Sequence, residues 1–180
     1  MQFLLLYIIS PILFLIPGSI ANIGAYFSRK LFPKWNTPLD FGIKYRGIRI
    51  FGGHKTFRGL LVGSFSSMIT YILLQNIGIL TSLLVIPEEM NVWLFGFMLG
   101  ISALLGDAIK SFFKRRIGIK PGRSWFPLDQ IDWIIGVLVF SFFVTEISLL
   151  FAASCLITGL LLHLIGRFIG YLVGLHKEPI

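Results

Sequence analysis

Apolar residues run in long blocks along this chain, with polar residues gathered between them. Phe3 to Phe27 contains no Asp, Glu, Lys or Arg, and neither do Gly59 to Pro87, Asn91 to Gly106 or Ile147 to Gly166. A further block, Ile131 to Thr145, is broken only by Asp132 near its start. About 20 apolar residues cross the hydrocarbon core of a bilayer as a helix. The pattern predicts an all-α integral membrane protein of five spans, near 4–27, 60–82, 92–112, 129–146 and 149–173, forming a single domain over 1–180. The fourth span is short and is expected to run with little tilt or to be shielded by its neighbours. The first block lacks a basic leader region, so it reads as a retained helix rather than a cleaved signal.

Composition agrees. Hydrophobic residues make up 56% and charged residues only 13%, with a mean hydropathy of +0.85. A soluble domain carries about a quarter charged residues. Too little polar surface is present to cover a water-soluble fold of this size. The lone Cys155 permits no internal disulfide and reads as a small apolar filler. His54, His163 and His176 have no metal-ligand spacing, and His163 reads as a helix–helix hydrogen bonder.

The net charge is +8, and its placement orients the chain. Arg29, Lys30, Lys34, Lys44, Arg46, Arg49, Lys55 and Arg58 lie between the first two blocks. Lys110, Lys114, Arg115, Arg116, Lys120 and Arg123 surround the third connection, with Arg167 and Lys177 near the C-terminus. Five alternating spans put every one of these on the same side, and leave Glu88, Glu89 and Glu146 opposite. Basic connections stay cytoplasmic, so the expected topology is N-terminus out and C-terminus in, in the cell membrane. Topology and phosphate chemistry account for the bases, so no nucleic-acid partner is needed. Small-xxx-small spacings at Gly59/Gly63, Gly96/Gly100 and Gly166/Gly170/Gly174 predict close helix packing.

The aspartates carry the candidate chemistry. Asp107, Ser111 and Lys114 follow an i, i+4, i+7 spacing on one face at the inner end of span three. Asp129 and Asp132 lie one turn apart where span four begins. Three carboxylates thus reach one depth at the membrane edge, where a balancing cation is needed. Magnesium takes a few carboxylates together with phosphate oxygens and waters. Bases in the same connection suit phosphates. A purely structural account also exists. Asp129 could cap a helix start, and Lys110 to Arg116 suit a helix end; Asp107 lies at the wrong end for the helix dipole, although Lys110 or Lys114 could pair with it.

Phe51 to Gly59, with Gly52-Gly53 before Lys55-Thr56, places backbone amides at the start of span two. Such amides bind anions, although the spacing is not that of a P-loop. The alternation from Ile43 to Ile50 predicts a short surface hairpin.

The run Gly106 to Gly122, followed by Pro127-Leu128-Asp129-Gln130-Ile131-Asp132, resembles the signature of CTP:phosphatidate cytidylyltransferases, and more closely its archaeal branch, the CDP-archaeol synthases. The stretches Pro17 to Asn22 and Phe51 to Gly59 match further elements of that branch. The resemblance implies Asp107, Asp129 and Asp132 as magnesium-site residues, catalytic together with Lys114. It implies Ser111, Lys114, Arg115, Arg116 and Lys120 as nucleotide-phosphate contacts, and Asn22, Lys55, Thr56, Arg58 and Gln130 as further binding residues. The implied reaction transfers CMP from CTP to a lipid phosphomonoester, 2,3-bis-O-(geranylgeranyl)-sn-glycerol 1-phosphate, at the cytoplasmic face. The proline after Lys120 and the stretch Gly122 to Phe126 depart from the phosphatidate enzymes and favour the archaeal branch. The alternative is a small anion or metal transporter using the same aspartates, which would call for polar residues near the bilayer midplane.

Overall fold

A computed structural model describes residues 2–77, 83–85, 90–119 and 123–172. Its frame is five helices. The first, α1, is continuous through Gln2–Leu4, a π-helical stretch Leu5–Ile9 and Ser10–Leu31. Then come α2 (Phe57–Asn76), α3 (Val92–Arg116), α4 (Leu128–Val144) and α5 (Leu149–Leu172). Four of them are long and apolar enough to cross a membrane. The 17 residues of α4 rise about 26 Å at 1.5 Å each, slightly short of a hydrocarbon core. The protein is a multi-pass membrane protein.

Local sequence sets the helix ends. Thr56 caps α2, its Oγ1 accepting from the Gly59 N–H at 3.3 Å, and Asn91 caps α3 by accepting from Trp93 N–H at 2.9 Å. At the end of α3, Gly118 takes φ +78°. Ile119 N–H then returns to Lys114 O at 3.1 Å and Gly118 N–H to Arg115 O at 3.3 Å. This is a Schellman closure, which requires the left-handed conformation that glycine adopts freely.

Packing follows lipid rather than water rules. On α2, the small residues Gly63, Ser64 and Ser67 are buried, while Leu61, Phe65, Ile69 and Leu73 form an outward stripe. Ser64 and Ser66 return their hydroxyls to carbonyls one turn back, at 2.7 and 2.8 Å. Small faces let backbones approach. A methyl group on Gly100 would lie 2.7 Å from Ser64 Cα, and one on Gly106 would collide with the Asp132 carbonyl. The spacing at Gly59/Gly63 and Gly96/Gly100 is thus used for packing. Gly166 instead faces open space, and Gly174 lies outside the described residues. Between the helices Phe14, Tyr71, Phe95, Leu99, Ile134 and Val137 form the core, with Cys155 buried beside them.

The expected hairpin is present. β1 (Lys44–Tyr45) and β2 (Ile48–Arg49) pair antiparallel, joined by Arg46 and Gly47, both at positive φ, as a two-residue hairpin turn requires. Asp40 organises the loop beneath it. Its buried carboxylate accepts from the N–H groups of Gly42, Phe51 and Gly52 at 3.0, 3.1 and 3.3 Å, and pairs with Arg49 at 2.5 Å. Burial alone would raise its pKa, but Arg49 and the three backbone donors outweigh that and hold it at about 2.

Candidate active site

The ends of α1 and α3 meet the starts of α2 and α4 beneath the hairpin, and the three aspartates converge there. One side chain gathers them. The Lys110 ammonium lies 2.7 Å from Asp129 Oδ1, 2.8 Å from Asp132 Oδ2 and 3.3 Å from Asp107 Oδ1. Lys55, delivered by the loop before α2, pairs with Asp107, and Lys114 pairs with Asp129 at 2.7 Å. The backbone N–H of Trp125 donates to Asp129 at 2.7 Å, so Asp129 also anchors the connection leading into α4. Three carboxylates and three ammonium groups therefore balance in one half-buried cluster, which lowers the cost of placing each at the membrane edge.

Lys110 was not among the expected site residues. The signal existed: it follows Asp107 by three and precedes Lys114 by four, on the helical face already assigned to the site. Among the described residues, no three His, Cys, Asp or Glu side chains stand at metal-binding spacing; the carboxylates are arranged around Lys110 instead. The donor chemistry nevertheless suits a hard divalent cation, because all three groups supply carboxylate oxygens. Asp132 Oδ2 adds to the fit: it is buried, and among the described residues no hydrogen-bond donor is aligned on it, only the charge of Lys110.

The other expected residues divide. Lys55, Ser111, Lys114 and Arg115 line a small polar cavity of about 160 Å³ against Gly52 and Asp107. The Ser111 hydroxyl donates to the Asp107 carbonyl at 2.9 Å, and Arg115 Nη1 to the Ile119 carbonyl at 3.2 Å. Asn22 and Thr56 line an adjoining cavity of about 170 Å³ that also reaches Lys55 and Asp107. His54, not anticipated, borders both cavities.

Three residues are placed elsewhere. Buried Arg58 donates to the carbonyls of Phe32 and Pro33 at 3.0 and 3.3 Å, tying the end of α1 to α2. Arg116 packs its guanidinium over Tyr45 and Phe112, 5.2 and 4.7 Å from the ring centres, and donates to the Tyr45 carbonyl. It fastens the hairpin to α3. Gln130 is buried, yet lines neither polar cavity. Lys120 lies outside the described residues.

Two apolar clefts reach the cluster from the membrane side. One, about 440 Å³, runs between α3 and α4 and meets the cluster at Lys110 and Asp132. The other, about 430 Å³, lies between α1, α4 and α5; Asn22, His163 and all three aspartates line its polar end.

Comparison with known proteins agrees with this architecture. A family model described as CarS-like: CDP-archaeol synthase matches residues 3–179. The CDP-archaeol synthase of Pyrobaculum aerophilum is 33% identical over 169 residues, covering 91% of this chain and 93% of that protein. That of Methanosarcina barkeri is 36% identical over 156 residues, covering 79% and 89%. A solved structure described as an intramembrane enzyme for archaeal membrane lipids biosynthesis superposes with a TM-score of 0.70 at 28% identity, covering 87% of this chain and 91% of that one. Nothing in these comparisons supports the transporter alternative. With helices, motifs and relatives in agreement over nearly its whole length, the chain belongs to the CDP-archaeol synthase family and is a CTP-dependent lipid cytidylyltransferase.

Proposed function

We propose that this protein transfers CMP from CTP to an ether-linked lipid phosphomonoester, 2,3-bis-O-(geranylgeranyl)-sn-glycerol 1-phosphate, giving CDP-archaeol and pyrophosphate at the cytoplasmic face of the cell membrane. The observation that carries this reading is the convergence of Asp107, Asp129 and Asp132 on one point beside a cationic cavity. The absence from this chain of the Lys-Asp and His-Gly-Gly elements found in phosphatidate enzymes favours the archaeal substrate. All its bases fall on one side of five alternating spans, which favours a cytoplasmic site.

In the reaction, an oxygen of the lipid phosphate attacks the α-phosphorus of CTP. A new phosphoanhydride bond forms as the α–β anhydride bond breaks, and the electron pair leaves with pyrophosphate. The lipid phosphate is already an anionic nucleophile, so no covalent enzyme intermediate is needed. The protein's work is to hold two polyanions in line against their repulsion. Lys55, Lys114 and Arg115 line the cavity that this reading assigns to the triphosphate. Gly52 lines it as well, with its own N–H held by Asp40. Asp107, Asp129 and Asp132 would hold one or two magnesium ions. When bound, magnesium would neutralise phosphate charge and stabilise the leaving pyrophosphate.

Purified protein incubated with labelled CTP, magnesium and a panel of phosphorylated lipids tests this. A CDP-lipid formed from the ether lipid and not from phosphatidate is the expected result. No nucleotide–lipid product from any member of the panel overturns it.

A further inference from the structure

The α3–α4 cleft differs from the other cavities in its wall. Ile101, Leu105, Ile109 and Phe113 on α3 face Ile135 and Val139 on α4. Five of these, Leu105, Ile109, Phe113, Ile135 and Val139, are 40–53% exposed, so the cleft is open along its side. Its floor is backbone, where Gly106 and Gly136 bring the two helices into contact. From Lys110 to Met98, which also lines it, α3 rises about 18 Å at 1.5 Å per residue, close to the depth of one hydrocarbon leaflet. Among the described residues, only two charged ones line it, Lys110 and Asp132, both where it meets the aspartate cluster. Lys110 also lines the polar cavity proposed above for the triphosphate. One side chain therefore stands on both the lipid-facing path and the nucleotide-facing cavity.

We infer that the α3–α4 cleft takes a hydrocarbon chain of the lipid phosphomonoester, and that Lys110 receives the lipid's phosphate and sets it against the nucleotide. This rests on the cytidylyltransferase reading above, and adds to it the route of entry and the residue that recognises the nucleophile. The occupant follows from charge and shape. An apolar trough one leaflet deep suits a chain from the leaflet whose headgroup reaches the site. A cation at its head suits a phosphate and discriminates against the same lipid without one. Lys55 and Lys114 are absent from the cleft wall, so they cannot take this role from the membrane side.

Trp125 borders the cleft mouth and supplies a signal independent of turnover. The full chain in lipid nanodiscs is titrated with the ether-linked lipid phosphomonoester brominated across its double bonds, and with the same brominated lipid lacking the phosphate. Bromine quenches tryptophan on contact. Quenching is expected from the phosphorylated lipid, with the Trp125 part missing in Trp125→Phe, and little from the neutral one. Lys110→Met should raise the half-saturating lipid fraction about tenfold, the size of one charge-assisted hydrogen bond. Lys110→Arg should recover most of the loss, and Val139→Trp, which fills the trough, should weaken lipid binding alone. Equal quenching by the neutral lipid, or unchanged lipid binding in both Lys110→Met and Val139→Trp, overturns the assignment. If the wild-type protein makes CDP-lipid yet none of these shifts appears, the inference fails alone. If it makes none, the cytidylyltransferase reading fails first.

Discussion

At the residue scale, each aspartate has a separable task. Asp107 is held by Lys55 and Lys110, Asp129 by Lys110 and Lys114, and Asp132 by Lys110. Asp129→Asn or Asp132→Asn should lower turnover at least about 10²-fold, the scale of losing one transition-state contact, with the protein still inserting and folding. Steady-state rates at saturating CTP and lipid check this, and full activity in both variants removes the acidic centre from the mechanism. Arg123→Ala, whose side chain is exposed, should stay near wild type. The aspartates were legible because a carboxylate at a membrane edge is costly and invites explanation. Arg58 and Arg116 were not separable from phosphate-binding bases in the same way. Sequence shows a cation in a conserved-looking motif of the family, but not that Arg58 turns back to two carbonyls or that Arg116 lies on aromatic rings. Lys110 is legible in the sequence only as a possible partner of Asp107, not as a site residue, because a lysine near a helix end already has a sufficient explanation in the dipole.

At the element scale, the loop before α2 hangs on Asp40. Its carboxyl lies at about 2 in the folded protein against an ordinary 3.8. A carboxyl with a depressed folded value stabilises the fold above its unfolded pKa and loses that contribution as pH falls through the folded one. The loop should therefore be fully held above about pH 4 and should loosen toward pH 2, losing about 2 kcal/mol. Hydrogen exchange at Phe51 and Gly52, corrected for intrinsic rates at each pH, should show this loss in the wild type and a low, pH-independent protection in Asp40→Asn. Helix crossings make a second contrast. Gly100→Leu should disrupt the packing of α3 on α2, since even a methyl group meets Ser64 and Ser67 at 2.7 Å, and overpacking alone costs about 1–3 kcal/mol. Gly166→Leu, facing open space, should leave the melting temperature in detergent unchanged. The repeated spacing of glycines predicted contact in both places. Periodicity identifies a smooth face, but whether a neighbour lies against it depends on where the helix sits in the bundle.

At the scale of the whole molecule, hydropathy was enough for the helices because lipid demands internally satisfied backbone over a fixed length. Their inner ends were less visible. α3 continues to Arg116 and α1 to Leu31, beyond their uncharged stretches, because basic residues favour a helix C-terminus. The proposed sidedness has its own check. In a Cys155→Ala background, a cysteine introduced at Arg46 in the hairpin turn should react with an impermeant thiol reagent only after sealed vesicles are opened on the cytoplasmic side. Labelling from the outside would reverse the orientation and strand the site away from cytoplasmic CTP.

Since Asp107, Lys110, Ser111 and Lys114 all ride on the single rod of α3 together with the greasy wall of Leu105 and Ile109, the site is keyed to helical phase. One extra residue inserted after Ser102 would swing everything beyond it by about 100°. Lysines that now meet carboxylates would then point into lipid hydrocarbon, while hydropathy and length would hardly change. Drift in this lineage should thus swap side chains along α3 freely at its lipid-facing positions, yet keep its residue count between Gly100 and Arg116 fixed.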